Sequence, residues 1–344
     1  MTPDRVLLAQ ERRALFADRT FVVPPLVADG SLFVGAARPD SYPRIVRTTL
    51  RGEPIWASRL LCDAGPISVG RIVQFFDWDC ADPTAPVVTV NGDDFREELW
   101  SARIAYPVTA ARVTYGYTYH FDAESELVLD DLVALDAVTG LELWRHPRPD
   151  EDGSGWSGRP LVADGHVYAR LSHSIVALDA DTGDPQWSVE PAPDDVIIPV
   201  AARSEVLYLA RQSGTEDLRI DAVGADGTLL WSTRIPRATF STVMNGGLAV
   251  GGGTLVASGA RSVTAVDTVS GTKRWSYRLV SSPQGAPVVG AAGVFYVMDY
   301  VNARIVAIRA TDGSEILGFP GARSLIVAAG RIYVTGDQGL RIYG

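Results

Sequence analysis

Three carboxylates and an indole lie together in one short stretch of the chain, Phe76 to Asp82, which reads FDWDCAD. Carboxylates at this density can hold a cation or act as acids and bases. The indole of Trp78 offers an aromatic face for a cation or a sugar-like ring. We take Asp79 as a candidate catalytic group and Trp78, Asp77 and Asp82 as candidate ligand contacts. The alternative is a solvated acidic loop with a packed indole.

A second stretch combines aromatic residues with a histidine, His120. Histidine titrates near neutral pH, so His120 with Asp122 or Glu124 could form an acid–base pair. We therefore treat His120 as a candidate catalytic residue and its neighbour Tyr119 as a candidate ligand contact. A histidine in a surface loop is the plainer alternative.

Five further candidates lie later in the chain. A guanidinium group can hold a carboxylate through two parallel N–H bonds, which makes Arg211 and Arg304 candidate ligand contacts. Asp299 is a candidate catalytic carboxylate, and Tyr300 is a candidate ligand contact beside it. Trp156 closes a polar segment that could act as a lid or contact a partner. For each of these residues, an ordinary surface loop is the alternative.

The charge balance and the missing motifs exclude several functions. The chain has 31 basic and 41 acidic residues, a net charge of −10. It therefore lacks the basic surface of a nucleic-acid binder, and we expect no nucleic-acid partner. It contains no Gly-x-Ser-x-Gly, Walker A, dinucleotide-binding or His-Glu-x-x-His motif. The four histidines have no zinc-binding spacing, and we expect no metal.

The elements that must position these residues repeat along the chain. Six of the eight tryptophans recur every 43 or 44 residues: Trp56, Trp100, Trp144, Trp187, Trp231 and Trp275. A seventh equivalent position carries Leu317. The residues before each of these positions repeat too, as in ALDAVTG before Trp144 and ALDADTG before Trp187. A period of this length is typical of stacked or radial repeats.

Each unit predicts four short strands and no helix. Runs of Val, Ile and Tyr are bounded by Gly, Asp and Pro, as in the predicted second strand His166–Leu171. In the Asp-x-x-Thr-Gly turn, Asp and Thr bond to the local backbone and Gly supplies a positive φ. We expect the tryptophan four residues later to pack against the neighbouring unit. Four strands per unit of this length predict the blade of a β-propeller.

The repeat also predicts how the last unit is completed. After Leu317 only three strands remain, and the segment Arg13–Arg19 can supply the fourth. The chain is then an all-β, eight-bladed propeller whose last blade is closed by the N-terminal strand. We assign 1–344 to one domain. Residues 1–22 provide the closing strand, 23–317 seven repeats, and 318–344 the rest of the last blade.

One aromatic position recurs in six units and predicts the core. Tyr115 matches residues in five other repeats, so we expect a structural role for the set. The matching residues are Phe33, Tyr168, Tyr208, Tyr296 and Tyr333.

The pattern Ala-x-Asp-x-x-Thr-Gly-x-x-x-Trp, clearest at 134–144, 177–187 and 265–275, resembles the PQQ-like repeat. That repeat is shared by quinoprotein dehydrogenases and by BamB-like eight-bladed propellers. The resemblance covers nearly the whole chain and implies the propeller fold. The dehydrogenases carry a vicinal Cys–Cys pair over their quinone, whereas Cys62 and Cys80 are 18 positions apart here. We therefore expect no cofactor and no PQQ.

Two functions are compatible with this sequence. The first is a non-enzymatic binding or scaffold propeller, with a small-molecule or protein partner at one mouth of its axial channel. The second is a cofactor-independent lyase, cyclase or isomerase that uses acid and base groups at that mouth. No signal peptide, lipobox or membrane-spanning run is present in this sequence. We expect a cytoplasmic monomer without membrane contact, although a removed export signal remains an alternative.

Overall fold

The structure is a computed structural model that describes most of the chain. The described residues are 11–15, 20–21, 26–28, 30–37, 44–57, 67–69, 72–76, 87–91, 98–121, 127–147, 159–214, 217–236, 238, 248–280, 288–289, 293–299, 301–336 and 339–343. Their regular elements are all strands. In this part of the chain no helix is long and apolar enough to cross a membrane.

The first strand, β1 (Glu11–Leu15), is followed by strands that form four sheets in succession. Sheet 1 holds β2 (Thr20–Phe21), β3 (Leu26–Ala28), β4 (Ser31–Ala37), β5 (Arg44–Thr49) and β6 (Pro54–Ala57). Sheet 2 holds β7 (Ile67–Val69), β8 (Ile72–Phe76), β9 (Val87–Asn91) and β10 (Glu98–Ala102). Sheet 3 holds β11 (Ile104–Ala110), β12 (Val113–Phe121), β13 (Leu127–Asp136) and β14 (Glu142–His146). Sheet 4 holds β15 (Leu161–Ala163), β16 (His166–Leu171), β17 (Ser174–Asp179) and β18 (Pro185–Val189).

Four more sheets follow in the second half of the chain. Sheet 5 holds β19 (Asp195–Arg203), β20 (Val206–Ser213), β21 (Arg219–Val223) and β22 (Leu229–Arg234). Sheet 6 holds β23 (Leu248–Gly251), β24 (Thr254–Ser258), β25 (Ser262–Asp267) and β26 (Lys273–Arg278). Sheet 7 holds β27 (Val288–Val289), β28 (Val294–Asp299), β29 (Arg304–Arg309) and β30 (Glu315–Pro320). Sheet 8 holds β31 (Ala322–Ala328), β32 (Arg331–Gly336) and β33 (Gly339–Tyr343), together with β1.

Sheet 8 confirms the predicted closure by the N-terminal strand. Its strand order is β1-β33-β32-β31, so β1 lies beside the last strand of the chain. The closing strand begins at Glu11, two residues before the predicted segment. In sheet 1, β2 and β3 both pair with β4, at Thr20↔Ala37 and at Leu26↔Phe33. The predicted all-β propeller fold is therefore confirmed, and the eight sheets are consistent with eight blades.

The chain divides into two compact units. One comprises Met1–Ala14, His173–Ala177 and Gln186–Gly344, and the other comprises Leu15–Ser172 and Leu178–Pro185. The core of the first includes apolar clusters built from sheets 5 to 8. The core of the second includes residues of sheet 3 with Trp100 packed against them. The assignment to one domain stays a prediction.

The recurring aromatic position is buried, as predicted. Each of its six residues is at most 3% exposed: Phe33, Tyr115, Tyr168, Tyr208, Tyr296 and Tyr333. The phenol of Tyr115 finds a hydrogen-bond partner, because its hydroxyl donates to the carbonyl of Ala180 at 3.2 Å. Burial of large aromatic rings with a satisfied polar end is a favourable way to build a core.

The periodic tryptophans connect successive sheets. The indole N–H of Trp144 donates to the carbonyl of Ala180 at 3.0 Å, and its ring lies on Gly183. A Cβ added to Gly183 would come within 2.7 Å of that ring. The same contact joins Trp100 to Gly140, Trp187 to Gly227, Trp231 to Gly271 and Trp275 to Gly313. The expected packing of each indole on the next unit is confirmed in these five cases.

The turn under each tryptophan is held by its own side chains. The carboxylate of Asp267 accepts hydrogen bonds from the amides of Val269 and Ser270 at 3.0 and 2.8 Å. The Ser270 amide, followed by the Arg274 guanidinium, lowers the pKa of Asp267. Gly271 then adopts a φ of +70°, which an L-residue disfavours. The turn residues thus place a residue without a side chain under the indole.

Candidate functional site

Five of the residues predicted as site residues lie in the described part of the chain. These are Tyr119, His120, Arg211, Asp299 and Arg304. Six others lie outside the described residues: Asp77, Trp78, Asp79, Asp82, Trp156 and Tyr300. The suggested partners of His120, Asp122 and Glu124, also lie outside them, as do Cys62 and Cys80. The predicted site can therefore be compared with the structure at these five described residues.

The two ends of each sheet are built differently. We call the end where the third strand connects to the fourth the turn end, and the end where the second connects to the third the hairpin end. At the turn ends of sheets 3 to 7 the connections 137–141, 180–184, 224–228, 268–272 and 310–314 each have five residues. At the hairpin ends the connections 122–126, 172–173, 214–218, 259–261 and 300–303 have from two to five. The predicted site residues described here all belong to the hairpin ends.

At the hairpin end of sheet 3, His120 pairs with a residue that we had not predicted. Its Nδ1 lies 2.8 Å from Oδ1 of Asp130 on the neighbouring strand. The two side chains are 58% and 38% exposed. An imidazole held by a carboxylate can transfer protons. The geometry therefore keeps His120 as a candidate, with Asp130 as its partner.

A β-bulge explains why the sequence did not indicate Asp130. The strands β12 and β13 pair at Tyr117↔Leu132 and next at Tyr119↔Leu129, so β13 carries one extra residue between these pairs. The hydroxyl of Thr118 fills the gap by accepting from the Asp131 amide at 3.0 Å. A bulge redirects nearby side chains, and the alternation of residues along the strand does not predict where it occurs. The acidic pair LDD in β13 was the one available signal.

At the hairpin end of sheet 5, Arg211 is already neutralised by two acids of its own sheet. Its Nη1 lies 3.3 Å from Asp195 Oδ2, and its Nε lies 2.6 Å from Asp221 Oδ2. Asp221 is only 2% exposed. A buried carboxylate of this kind needs a cationic partner. The arrangement gives Arg211 a structural role, and its role as a ligand contact stays a prediction.

At sheet 7, Arg304 reaches across β30 to an acid on the same sheet. Its guanidinium lies over Gly318, where an added Cβ would overlap it, and its Nη2 donates to Oε1 of Glu315. The hydroxyl of Tyr277, from β26 of sheet 6, donates to the other oxygen of Glu315 at 2.5 Å. The glycine at 318 thus leaves room for an arginine that helps to join two sheets.

The same cluster changes the acidity of its tyrosine. Burial, followed by the hydrogen bond to Glu315 and its negative charge, raises the pKa of Tyr277 to about 12. The phenol therefore remains protonated and donates to Glu315 at neutral pH. Neither Tyr277 nor Glu315 was among the predicted residues, because their contact joins positions 38 residues apart on different sheets.

Asp299 lies at the end of β28, where it pairs with Arg304 on β29. Its side chain is 4% exposed, and Oδ2 accepts from Asn302 Nδ2 at 2.9 Å and from the Val280 amide at 3.4 Å. Two predicted residues, Asp299 and Arg304, are thus brought together at one hairpin end. The bonds of Asp299 tie the hairpin to the end of β26, and its catalytic role stays a prediction.

The described residues show little that could hold a metal. No three His, Cys, Asp or Glu side chains among them are arranged to ligate an ion. The aspartates of the turn ends direct their oxygens at backbone amides instead, as Asp179 does with Asp181 and Thr182, both at 2.9 Å. A cavity of about 450 Å³ lies at the hairpin end of sheet 6, beside Tyr277.

Comparison with known proteins gives relatives of the same fold. BamB from Moraxella catarrhalis superposes with a TM-score of 0.63 at 15% identity, covering 98% of this chain and 97% of that one. Quinohemoprotein alcohol dehydrogenase from Comamonas testosteroni superposes with a TM-score of 0.64 at 14% identity, covering 100% of this chain and 77% of that one. At these identities the likeness concerns the fold.

One curated protein is similar in sequence over part of its length. The serine/threonine-protein kinase AfsK from Streptomyces griseus is 29% identical over 169 residues, which cover 47% of this chain. The match spans 20% of the kinase. The family described as outer membrane protein assembly factor BamB matches residues 88–316, more than half of the chain. With the tryptophan-linked sheets, this match shows that the chain belongs to the BamB family of PQQ-like propellers.

Proposed function

We propose that this chain is a non-enzymatic scaffold propeller that binds a protein partner at the mouth formed by its hairpin ends. The observation that carries the proposal is the contrast between the two ends of the sheets. In sheets 3 to 7 the turn ends have a constant length and are occupied by contacts between sheets. The hairpin ends vary in length and are not needed for those contacts. Loops that a rigid scaffold positions are where binding sites concentrate.

The family and the chemistry of the hairpin ends support binding rather than catalysis. The family is named for the assembly of outer membrane proteins, a task that involves other proteins. Arg211 and Arg304, the two predicted cationic contacts described here, are paired with acids of their own sheets. Such pairs hold the hairpins in shape, which is what a preorganised binding surface requires.

The proposal can be tested by crosslinking from a matched pair of valines. Val301 is 73% exposed at the hairpin end of sheet 7, and Val269 is 87% exposed at the turn end of sheet 6. A photoreactive amino acid replaces one or the other valine in the full chain. Each variant is expressed in the organism in which the protein naturally occurs. We expect one reproducible protein adduct from position 301 and none from position 269.

The two positions make the result decisive. An adduct of equal yield from both positions would indicate nonspecific contact and would overturn the proposal. An adduct from position 269 alone would move the binding surface to the turn ends. Circular dichroism of each variant before irradiation checks that both chains are folded.

A further inference from the structure

The cavity at the hairpin end of sheet 6 is lined by polar side chains. Its lining residues are Ala260, Arg261, Ser262, Ser276, Tyr277 and Arg278. Its volume of about 450 Å³ falls in the range of small-molecule sites. Two guanidinium groups and two serine hydroxyls can all donate hydrogen bonds, so the lining favours an acceptor-rich, negatively charged ligand.

Backbone pairing holds these residues in a defined arrangement. Ser262 lies opposite Arg278, and Thr264 lies opposite Ser276, on the neighbouring strands β25 and β26. Residues two apart share one face of a strand, so Ser276 and Arg278 lie side by side. The amide of Leu279 donates to the carbonyl of Arg261 at 2.9 Å, which fixes the hairpin against the end of β26.

Several arginines of sheets 5 to 7 have an acidic partner among the described residues, as Arg274 has in Asp267. Neither Arg261 nor Arg278 forms an ion pair with a residue that the structure describes. The acids whose charges act on Tyr277, beside the cavity, are engaged elsewhere: Glu315 with Arg304, and Asp299 with Asn302. Among the described residues the two positive charges of the cavity thus have no acidic partner, in a chain whose net charge is −10.

We propose that this cavity binds a small molecule through a phosphate monoester, with Arg261 and Arg278 on the phosphate. A phosphate monoester carries close to two negative charges at neutral pH, which matches the two guanidinium groups. One guanidinium group can donate two parallel hydrogen bonds to the oxygens of a phosphate. The hydroxyls of Ser262 and Ser276 supply further hydrogen-bond donors. The volume of about 450 Å³ exceeds that of a phosphate ion and leaves room for an organic body on the ligand. This site does not depend on the proposed binding of a protein partner.

The test titrates the full chain with phenyl phosphate, inorganic phosphate and acetate by isothermal calorimetry. We expect saturable binding in the order phenyl phosphate, inorganic phosphate, acetate, from tightest to weakest. Each of Arg261→Gln and Arg278→Gln should weaken phenyl phosphate binding by about tenfold, because each removes a charged hydrogen bond. Raising the salt concentration should weaken it further.

A charge-matched control separates the site from general electrostatics. Arg309→Gln removes the same charge from an exposed arginine of sheet 7, which forms a long ion pair with Asp312 at 3.9 Å. It should leave phenyl phosphate binding unchanged. Equal weakening by Arg309→Gln and Arg278→Gln would overturn the site. Equal affinities for inorganic phosphate and phenyl phosphate would contradict the proposal that the ligand has an organic body. An affinity for acetate equal to that for phenyl phosphate would contradict the proposed preference for phosphate. Absence of saturable phenyl phosphate binding to the unaltered chain would overturn the proposal as a whole.

Discussion

The turn end and the hairpin end of a sheet differ in what their side chains contact. At the turn end, a glycine with a positive φ lies under a tryptophan of the preceding sheet, as Gly271 does under Trp231. At the hairpin end, polar side chains pair with one another, as His120 does with Asp130, and Asp299 also accepts from the Val280 amide after the last strand of the preceding sheet. The difference indicates that turn ends contribute mostly to stability. Hairpin ends are then free to vary, apart from a few residues that hold buried charges.

The largest effect is expected from adding a methyl group under a tryptophan. Gly183 and Gly165 both have positive φ, at +76° and +79°. Only Gly183 faces a ring, with Trp144 at 2.7 Å from an added Cβ, whereas nothing lies within 4 Å of an added Cβ on Gly165. We expect Gly183→Ala to lower the free energy of unfolding by about 3 kcal/mol, measured by urea denaturation.

Gly165→Ala is the matched control for that substitution. It carries the same backbone strain without the steric overlap, so we expect a loss of about 1 kcal/mol. Equal losses for the two variants would show that backbone strain alone is at work. The indole contact would then contribute nothing measurable, and the assigned role of the turn ends would be wrong.

The next largest effect is expected at the hairpin end of sheet 5, where one arginine pairs with a buried charge and therefore contributes to stability. Arg211→Leu removes the cation that pairs with the carboxylate of Asp221, and Asp221 is only 2% exposed. We expect a loss of about 2 kcal/mol in the free energy of unfolding, because an unpaired buried charge is costly. Adding Asp221→Asn should recover much of the loss. A double variant no more stable than Arg211→Leu would argue against a charge effect.

A smaller effect concerns the contact between sheets 6 and 7. Glu315→Gln removes the carboxylate that accepts from Tyr277 and should lower the pKa of that phenol from about 12 towards its ordinary value of 10. The pKa of Tyr277 is higher in the folded protein than in the unfolded chain. The contribution of the protonated phenol to the stability of the fold is therefore fully present below pH 10 and is lost as the pH rises towards 12. Ultraviolet titration, with Tyr277→Phe as the reference, follows this one phenol. An unchanged titration in Glu315→Gln would show that Glu315 does not raise the pKa of Tyr277.

The smallest effect is expected at the exposed pair of sheet 3. His120→Ala should change the free energy of unfolding by less than about 0.5 kcal/mol, since exposed ion pairs contribute little. Thermal unfolding at neutral pH measures the change, with His166→Ala as the control for loss of a histidine. A loss comparable to that of Gly183→Ala would contradict the contrast between the two ends.

Much of the fold was predictable because it depends on short-range patterns. Tryptophan spacing predicted the repeated sheets, and runs of Val, Ile and Tyr bounded by turn residues located strands such as β16 (His166–Leu171) without error. The candidate site was less predictable. Asp130 lies beside His120 through a bulge, and Glu315 meets Tyr277 across two sheets. The acidic pair of β13 was a local signal for the first contact and the second had none, because both contacts depend on how separate segments pack.

The amino-acid sequence alone determined the repeat, its all-β character and the closing strand near Glu11. These features follow from side-chain periodicity and from residues such as Gly271 that adopt backbone angles others avoid. Only the tertiary structure decided which charges are used internally. Arg211 and Arg304 proved to be paired within their own sheets, whereas Arg261 and Arg278 line a cavity. The physical reason is that a charge acts through distance and burial, and both are set when sheets pack together.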